Sequence, residues 1–279
     1  MMLRVTALMD NKPSEQKALI HEHGLSYLME GSGYRFLFDC GAGPNPWENA
    51  HRLGLSLRNL DAVVLSHSHY DHAGGYRYLL EQGGGSGVLY TGPRFFEPKF
   101  AFDGRKHTDL SAGFDREFLK ERGVAHREVT DVTELFPGVY LIASFPRKNA
   151  FETIPSRFVR LTENGFVTDD FGDEICVAVD LGGKLALFVG CSHPGILNMA
   201  QRVHDTLGMP LYAIFGGTHL VEADRQRVEQ TARALREMGL EIFGLSHCSG
   251  DEAECVIRQD PNLKSCHLGA GDCIFLDQP

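Results

Sequence analysis

Eleven apolar runs of four to six residues punctuate the chain, each closed by glycine, aspartate or histidine. They are Leu3–Leu8, Leu25–Glu30, Tyr34–Phe38, Ala62–Leu65, Gly87–Tyr90, Val139–Ile142, Ile175–Val179, Lys184–Val189, Leu211–Phe215, Glu241–Leu245 and Cys273–Leu276. Runs of that length, rich in β-branched and aromatic residues, are too short for buried helices and predict strands. Helical periodicity is confined to Pro46–Leu53, Gly75–Glu81, Asp115–Arg122, Gly195–Leu207 and Asp224–Met238; in the last, Val228, Ala232 and Leu235 share one face. Strands interleaved with helices predict an α/β layer structure of two helix-covered sheets. The halves echo each other. FLFDCGAG at 36–43 resembles LFVGCSHPG at 187–195, and AVVLSHSH at 62–69 resembles IFGLSHCS at 242–249. The echoes favour a single two-fold sandwich spanning 1–279 over two unrelated domains.

Charge and cysteine usage narrow the function classes. The net charge of −10 disfavours binding to a phosphate backbone, so no nucleic-acid partner is expected. Residues 94–160 depart from the rest, with 12 Lys/Arg against 10 Asp/Glu. A locally basic excursion in an acidic chain is suited to receiving an anionic small molecule. Seven cysteines, an odd number without a C-x-x-C pair, argue against a disulfide framework and for a reducing cytoplasm. The opening MMLRVTALMD, broken by Arg4, does not read as a signal peptide, and no apolar run approaches 18 residues, so no membrane association is expected. The one protein partner considered is a second copy of the chain.

The chemistry concentrates in AVVLSHSHYDHAGG at 62–75. His67 and His69, two apart, leave an extended segment on one face, and Asp71 and His72 follow at a turn into a helix. Three histidines and an aspartate at the end of an apolar strand form a metal-ligand pattern for zinc, iron, manganese or nickel. Their grouping suggests two metals, with His67 and His69 beginning one site and Asp71 and His72 the other. His193 in GCSHPGI and His247 in LSHCSG follow apolar strands and are expected to complete them. His219 in GGTHL is expected to shuttle a proton or touch substrate.

SHSHYDHAGG is similar to the HxHxDH signature of the metallo-β-lactamase superfamily. EHGLSYLME, FLFDCG, NAHRLGLSL, FPRKNAFE, GCSHPGILN, FGGTHL and LSHCSG, spread in order over 21–250, resemble one branch of it. That branch comprises metal-dependent hydrolases labelled 7,8-dihydropterin-6-yl-methyl-4-(β-D-ribofuranosyl)aminobenzene 5′-phosphate synthase. The resemblance implies a four-layer αββα sandwich with pseudo-two-fold halves and one or two divalent ions, zinc first, with manganese, iron, nickel or magnesium as the other candidates. It implies that Asp39 braces the metal loop from behind. Many members also carry a metal-bridging aspartate after a glycine at the position of Cys191, and a histidine on the preceding strand; both are missing here. His193 is therefore expected to take the first-site role. Cys191 either binds as thiolate or packs as a small buried hydrophobe, and packing is the favoured expectation.

The expected activity is that of a metal-dependent hydrolase or transferase acting on a phosphorylated or pterin-like anion, through metal-activated water or a metal-held leaving diphosphate. Asp71 and His219 are the expected catalytic residues. Arg147 and Lys148 lead the expected anion contacts, followed by Arg105 (with Arg94, Lys106 and His107) and His23. Phe95, Phe96, Phe100 and Phe102 are candidates to stack a flat ring. Two rival readings stand. One is a metal-binding sensor or ligand-binding protein without turnover. The other is a serine hydrolase built on Ser192 with Asp224 or Asp251 and His267, which would leave the SHSHYDH cluster idle.

Overall fold

Helical and apolar patterns resolve into four layers. The computed structural model describes residues 2–277. The first seven-stranded sheet runs, in spatial order, Cys273–Asp277, Met2–Met9, Ser26–Gly31, Tyr34–Phe38, Ala62–Val64, Val88–Thr91 and Ala125–Glu128. The second runs Val132–Phe136, Val139–Ile142, Cys176–Asp180, Leu185–Val189, Leu211–Gly217, Ile242–Ser246 and Lys264–His267. In both sheets the first three pairings are antiparallel and the last three parallel. This shared pattern is the pseudo-two-fold relation of the halves.

It also corrects one echo. Tyr34–Phe38 and Leu185–Val189 occupy equivalent positions, as FLFDCGAG and LFVGCSHPG suggested. Ala62–Val64, however, is equivalent to Leu211–Gly217, not to Ile242–Ser246, which matches Val88–Thr91. The motif LSH recurs one strand out of register, because similar strand–turn chemistry is reused on neighbouring strands.

The sheets face each other over a core containing Phe36, Phe38, Phe188 and Phe215, all at most 1% exposed. Burying each such ring is worth about 1.5–3 kcal/mol. Helices Ile196–Leu207, Arg225–Glu237 and Asp251–Arg258 cover the outer face of the second sheet through Val203, Val228, Leu235 and Ile257. Asn45–Arg52, Gly75–Glu81 and Arg116–Glu121 cover the first through Ala50, Leu79 and Phe118. Among the described residues no helix is long and apolar enough to cross a membrane.

A third, four-stranded sheet was not expected as such. It pairs Gly165–Thr168, Phe158–Thr162, Lys99–Phe102 and His107–Asp109. The stretch 94–160, expected to be one excursion, is thus divided. Only its two ends join this accessory sheet, which also needs Gly165–Thr168 beyond 160; Arg116–Glu121, Ala125–Glu128, Val132–Phe136 and Val139–Ile142 belong to the main layers. These strands are half-buried or exposed over most of their length, with no continuous buried apolar run, and this concealed them.

Candidate metal centre

Ala62–Val64 ends at the rim of the first sheet, and the next residues carry the donor side chains. Asp39, in the left-handed region at φ 59°, follows Tyr34–Phe38 on the adjacent strand. Its Oδ1 accepts the Ser66 N–H at 2.7 Å, and its Oδ2 accepts the Ser66 hydroxyl at 2.8 Å and meets His72 Nδ1 at 2.6 Å. One fully buried carboxylate therefore fixes both the start of the loop and the ring that ends it. Gly190, on the strand equivalent to that of Asp39, lies directly against this brace. A Cβ there would meet Ser66 Oγ at 2.1 Å.

The side chains form two groups. The rings of His67, His69 and His193 stand 4.7 to 5.0 Å apart, centroid to centroid. Burial holds all three well below the ordinary histidine range, so they are neutral near pH 7, the ligating form. In the second group, Asp71 Oδ2 lies 3.1 Å from His247 Nε2, which is itself 3.1 Å from His72 Nε2. Burial opposes ionisation of Asp71, but His72, His23 and His247 outweigh it and hold the carboxyl well below its usual range. Cys191 Sγ is 3.1 Å from His72 Nε2 and belongs geometrically to both groups.

Donor atoms so arranged fit a metal. His67 Nε2 and His193 Nε2 are buried without a hydrogen-bond partner. Stranding two imidazole nitrogens costs free energy unless something else engages them. A cation between neutral imidazoles, a carboxylate and a thiol accounts for these orphans. The donor set is one that zinc or iron favours.

The groups are held from behind by side chains that sequence reasoning missed. Glu174 accepts the N–H of Ser192 at 2.5 Å and of His193 at 2.8 Å; burial pushes its carboxyl up to about 8. Asp173 accepts the Ser68 N–H at 3.0 Å. Phe171 stacks on His193 at 3.8 Å. The segment Asp169–Glu174 thereby ties together the histidine loops of both halves. On the opposite side, Asn11 Oδ1 lies 2.8 Å from His247 Nδ1, and Asp10 Oδ1 accepts the His247 N–H at 2.7 Å.

Asp10 is in turn held by His267, whose ring bridges Asp10 and Glu254 at 2.7 and 2.9 Å. Burial opposes the imidazolium, but hydrogen bonds to the two carboxylates outweigh it and raise its pKa to about 9. Because folding raises this pKa, the contribution to stability is complete below the ordinary histidine range and is lost as pH rises through about 9. Stability in urea is expected to decline over that alkaline limb. The H267Q variant should show a shallower decline, and an unaltered slope would remove His267 from the account. This engagement also separates His267 from Ser192, whose hydroxyl donates to the Gly217 carbonyl at 2.8 Å and has no histidine partner among the described residues.

The donors open into a pocket of about 330 Å³ lined by Asn11, His23, Tyr70, Arg157, Phe158, His219 and Val221, besides the metal-group residues. His219 is in the left-handed region at φ 49°, with its ring 4.5 Å from that of His193. Burial lowers its pKa to about 4, so it is neutral near pH 7. His23 lies at the mouth with Nε2 3.1 Å from Asp71 Oδ2.

The anion contacts need correction. Arg147, Lys148 and Arg105 do not line the pocket. The FPRKNAFE segment instead caps the helix Ile196–Leu207. Glu152 accepts the N–H groups of Leu197 and Asn198 at 2.9 and 2.8 Å, Arg147 donates to the Glu152 carbonyl, and Lys148 pairs with Asp205 at 2.8 Å. Gly195, at φ 102°, starts this helix where a Cβ would strike Glu152. Arg105 lies exposed in a turn closed by Asp103. The cation that reaches the pocket is Arg157, stacked over Phe158 at 4.1 Å and paired with Glu222. It lies inside the basic segment, whose composition was the signal that could have found it. Of the four phenylalanines, Phe95 is core, Phe96 packs beside it, and Phe100 and Phe102 lie on the accessory sheet away from the pocket.

Residues 21–149 match the model of the metallo-beta-lactamase superfamily. The chain is 32% identical to the 7,8-dihydropterin-6-methyl-4-(beta-D-ribofuranosyl)-aminobenzene-5'-phosphate synthase of Methanocaldococcus jannaschii, over 91% of this chain and 90% of that protein. The chain belongs to the metallo-β-lactamase superfamily. Within that superfamily it resembles the solved structure of Tm1679, a metal-dependent hydrolase, with a TM-score of 0.85 and 26% identity over 98% of each chain. A diphosphatase of the PhnP family shares the superfamily fold with a TM-score of 0.55 at 15% identity, covering 99% of each chain.

Proposed function

We propose that this chain is a metal-dependent enzyme acting on a phosphorylated, pterin-like small molecule, by hydrolysis or by displacement of a diphosphate. The observation carrying the reading is the pair of buried donor groups, His67–His69–His193 and Asp71–His72–His247, at the floor of a pocket whose rim presents Arg157. The relative named as a pterin-related phosphate synthase supports the substrate class.

Divalent ions in these groups would supply Lewis acidity toward a phosphoryl oxygen and lower the pKa of water. The chain's own residues do the remainder. Arg157 binds the anionic end of the substrate, and Phe158 offers its ring as one wall. His219, neutral and facing the same space, accepts a proton from the attacking water, a role worth ~10²–10⁴-fold in rate. Asp71 orients His23 and the second group through its ionised carboxylate. The accessory sheet, through Phe158, screens the floor from water.

The R157A variant tests the anion contact. A charge-assisted contact contributes about 1.5–3 kcal/mol, so KM is expected to rise roughly 10- to 150-fold. An unchanged KM would remove Arg157 from binding. The reading as a whole is tested by presenting zinc-loaded protein with phosphoesters, lactones and pterin diphosphates. Turnover of a phosphate-bearing compound, abolished by EDTA and restored by zinc, is expected. Turnover that survives EDTA, or none with any compound, would overturn it.

A further inference from the structure

We propose that the Cys191 sulfur, as thiolate, is the shared donor joining the two metal groups. The inference rests on the metal reading above and reverses the expectation that Cys191 merely packs. Sγ falls within one set with His67 and His193 and within another with Asp71, His72 and His247, all ligand atoms of each set lying within 4.8 Å of one another. No other described residue belongs to both sets.

Three observations separate this sulfur from an inert buried thiol. The first is its surroundings. Cys40 and Cys176 each sit inside an apolar cluster, whereas Cys191, 3% exposed, belongs to none of the three. Its neighbours are His72 Nε2 at 3.1 Å and Cys248 Sγ at 3.4 Å. The second is the pair of orphaned nitrogens, His67 Nε2 and His193 Nε2, buried in the same set, where one cation would engage both. The third is the local chain. Gly190 is pressed against Ser66 and Asp39 and cannot carry a side chain, so the first residue of this loop able to present a donor is Cys191.

Cys248 completes the environment. Its sulfur accepts the His219 N–H at 3.3 Å and lies 3.4 Å from Cys191 Sγ. On metal binding the S–H bond of Cys191 breaks, its proton leaves to solvent, and the sulfur lone pair engages the ions. A shared thiolate makes the centre select zinc, iron or cobalt over magnesium or manganese.

The test loads full-length protein with cobalt(II) under reducing conditions and reads metal equivalents and the absorption spectrum. Wild type is expected to take two equivalents and show an intense near-ultraviolet sulfur-to-cobalt band. C248A should keep the band. C191S should lose the band and bind cobalt roughly 100-fold more weakly or worse, beyond the ~10–100-fold typical of losing an outer partner of a ligand. C191D should hold two equivalents without the band and accept manganese more readily than wild type. Circular dichroism checks that each variant is folded; should C191S fail to fold, the wild-type spectrum and C248A decide. Two equivalents in wild type without the band, or a band that disappears in C248A and persists in C191S, would overturn the bridge while leaving the metal reading intact. No cobalt in wild type would overturn both.

Discussion

The double variant H67A/H69A is expected to lose the metal of the first group and to lower kcat/KM at least ~10³-fold, the equivalent of about 4 kcal/mol of transition-state stabilisation. Both rings leave one loop and converge with His193, so removing them leaves a single imidazole of the three. The fold should survive, because the cores between the sheets and beneath the helices do not depend on these side chains. Elemental analysis after zinc-supplemented expression, paired with steady-state kinetics, checks both halves of this statement. Full metal content together with full activity would contradict it.

K99M is expected to destabilise the protein by about 3–5 kcal/mol, the cost of breaking a buried ion pair and leaving its partners uncompensated. Lys99 Nζ sits 3.0 Å from Asp169 Oδ2 and 2.5 Å from Asp173 Oδ1, all three side chains at most 3% exposed, and 4.6 Å from the centre of the Phe171 ring. Burial already pushes the Asp169 carboxyl up against the pull of Lys99, so protonation of that group softens the loss toward the lower figure. The consequence reaches the site, since Asp173 holds Ser68 and Phe171 packs on His193. Metal affinity should fall ~10–100-fold with stability. Urea unfolding that shows a loss below about 1 kcal/mol would mean the triad contributes little.

The sandwich was legible because its strands, buried on both faces, are continuous apolar runs: Tyr34–Phe38, Cys176–Asp180 and Leu185–Val189 all lie near where the pattern put them. The accessory strands were not, because Lys99–Phe102 is mostly half-buried and Gly165–Thr168 mostly exposed, so neither forms a buried run. Asp251–Arg258 was missed for a related reason: eight residues carry too few periods of DEAECVIR to stand out. At the site, the histidine cluster announces itself by composition, and His193 and His247 by the small residues that follow an apolar strand. The supports do not. Glu174, Asp173 and Lys99 are ordinary charged letters until the fold buries them. Arg147 and Arg157 are ten residues apart in the same basic stretch, and only the cap on Ile196–Leu207 shows which of them is occupied elsewhere.

Two metal ions are proposed to sit side by side at the floor of this pocket. Diffraction from crystals of the zinc-loaded protein, collected on both sides of the zinc absorption edge, tests this most directly. Two anomalous peaks are expected, one among His67, His69 and His193 and one among Asp71, His72 and His247, with Cys191 Sγ between them. A map with a peak at only one group, or with zinc bound at surface residues alone, would contradict the two-metal centre.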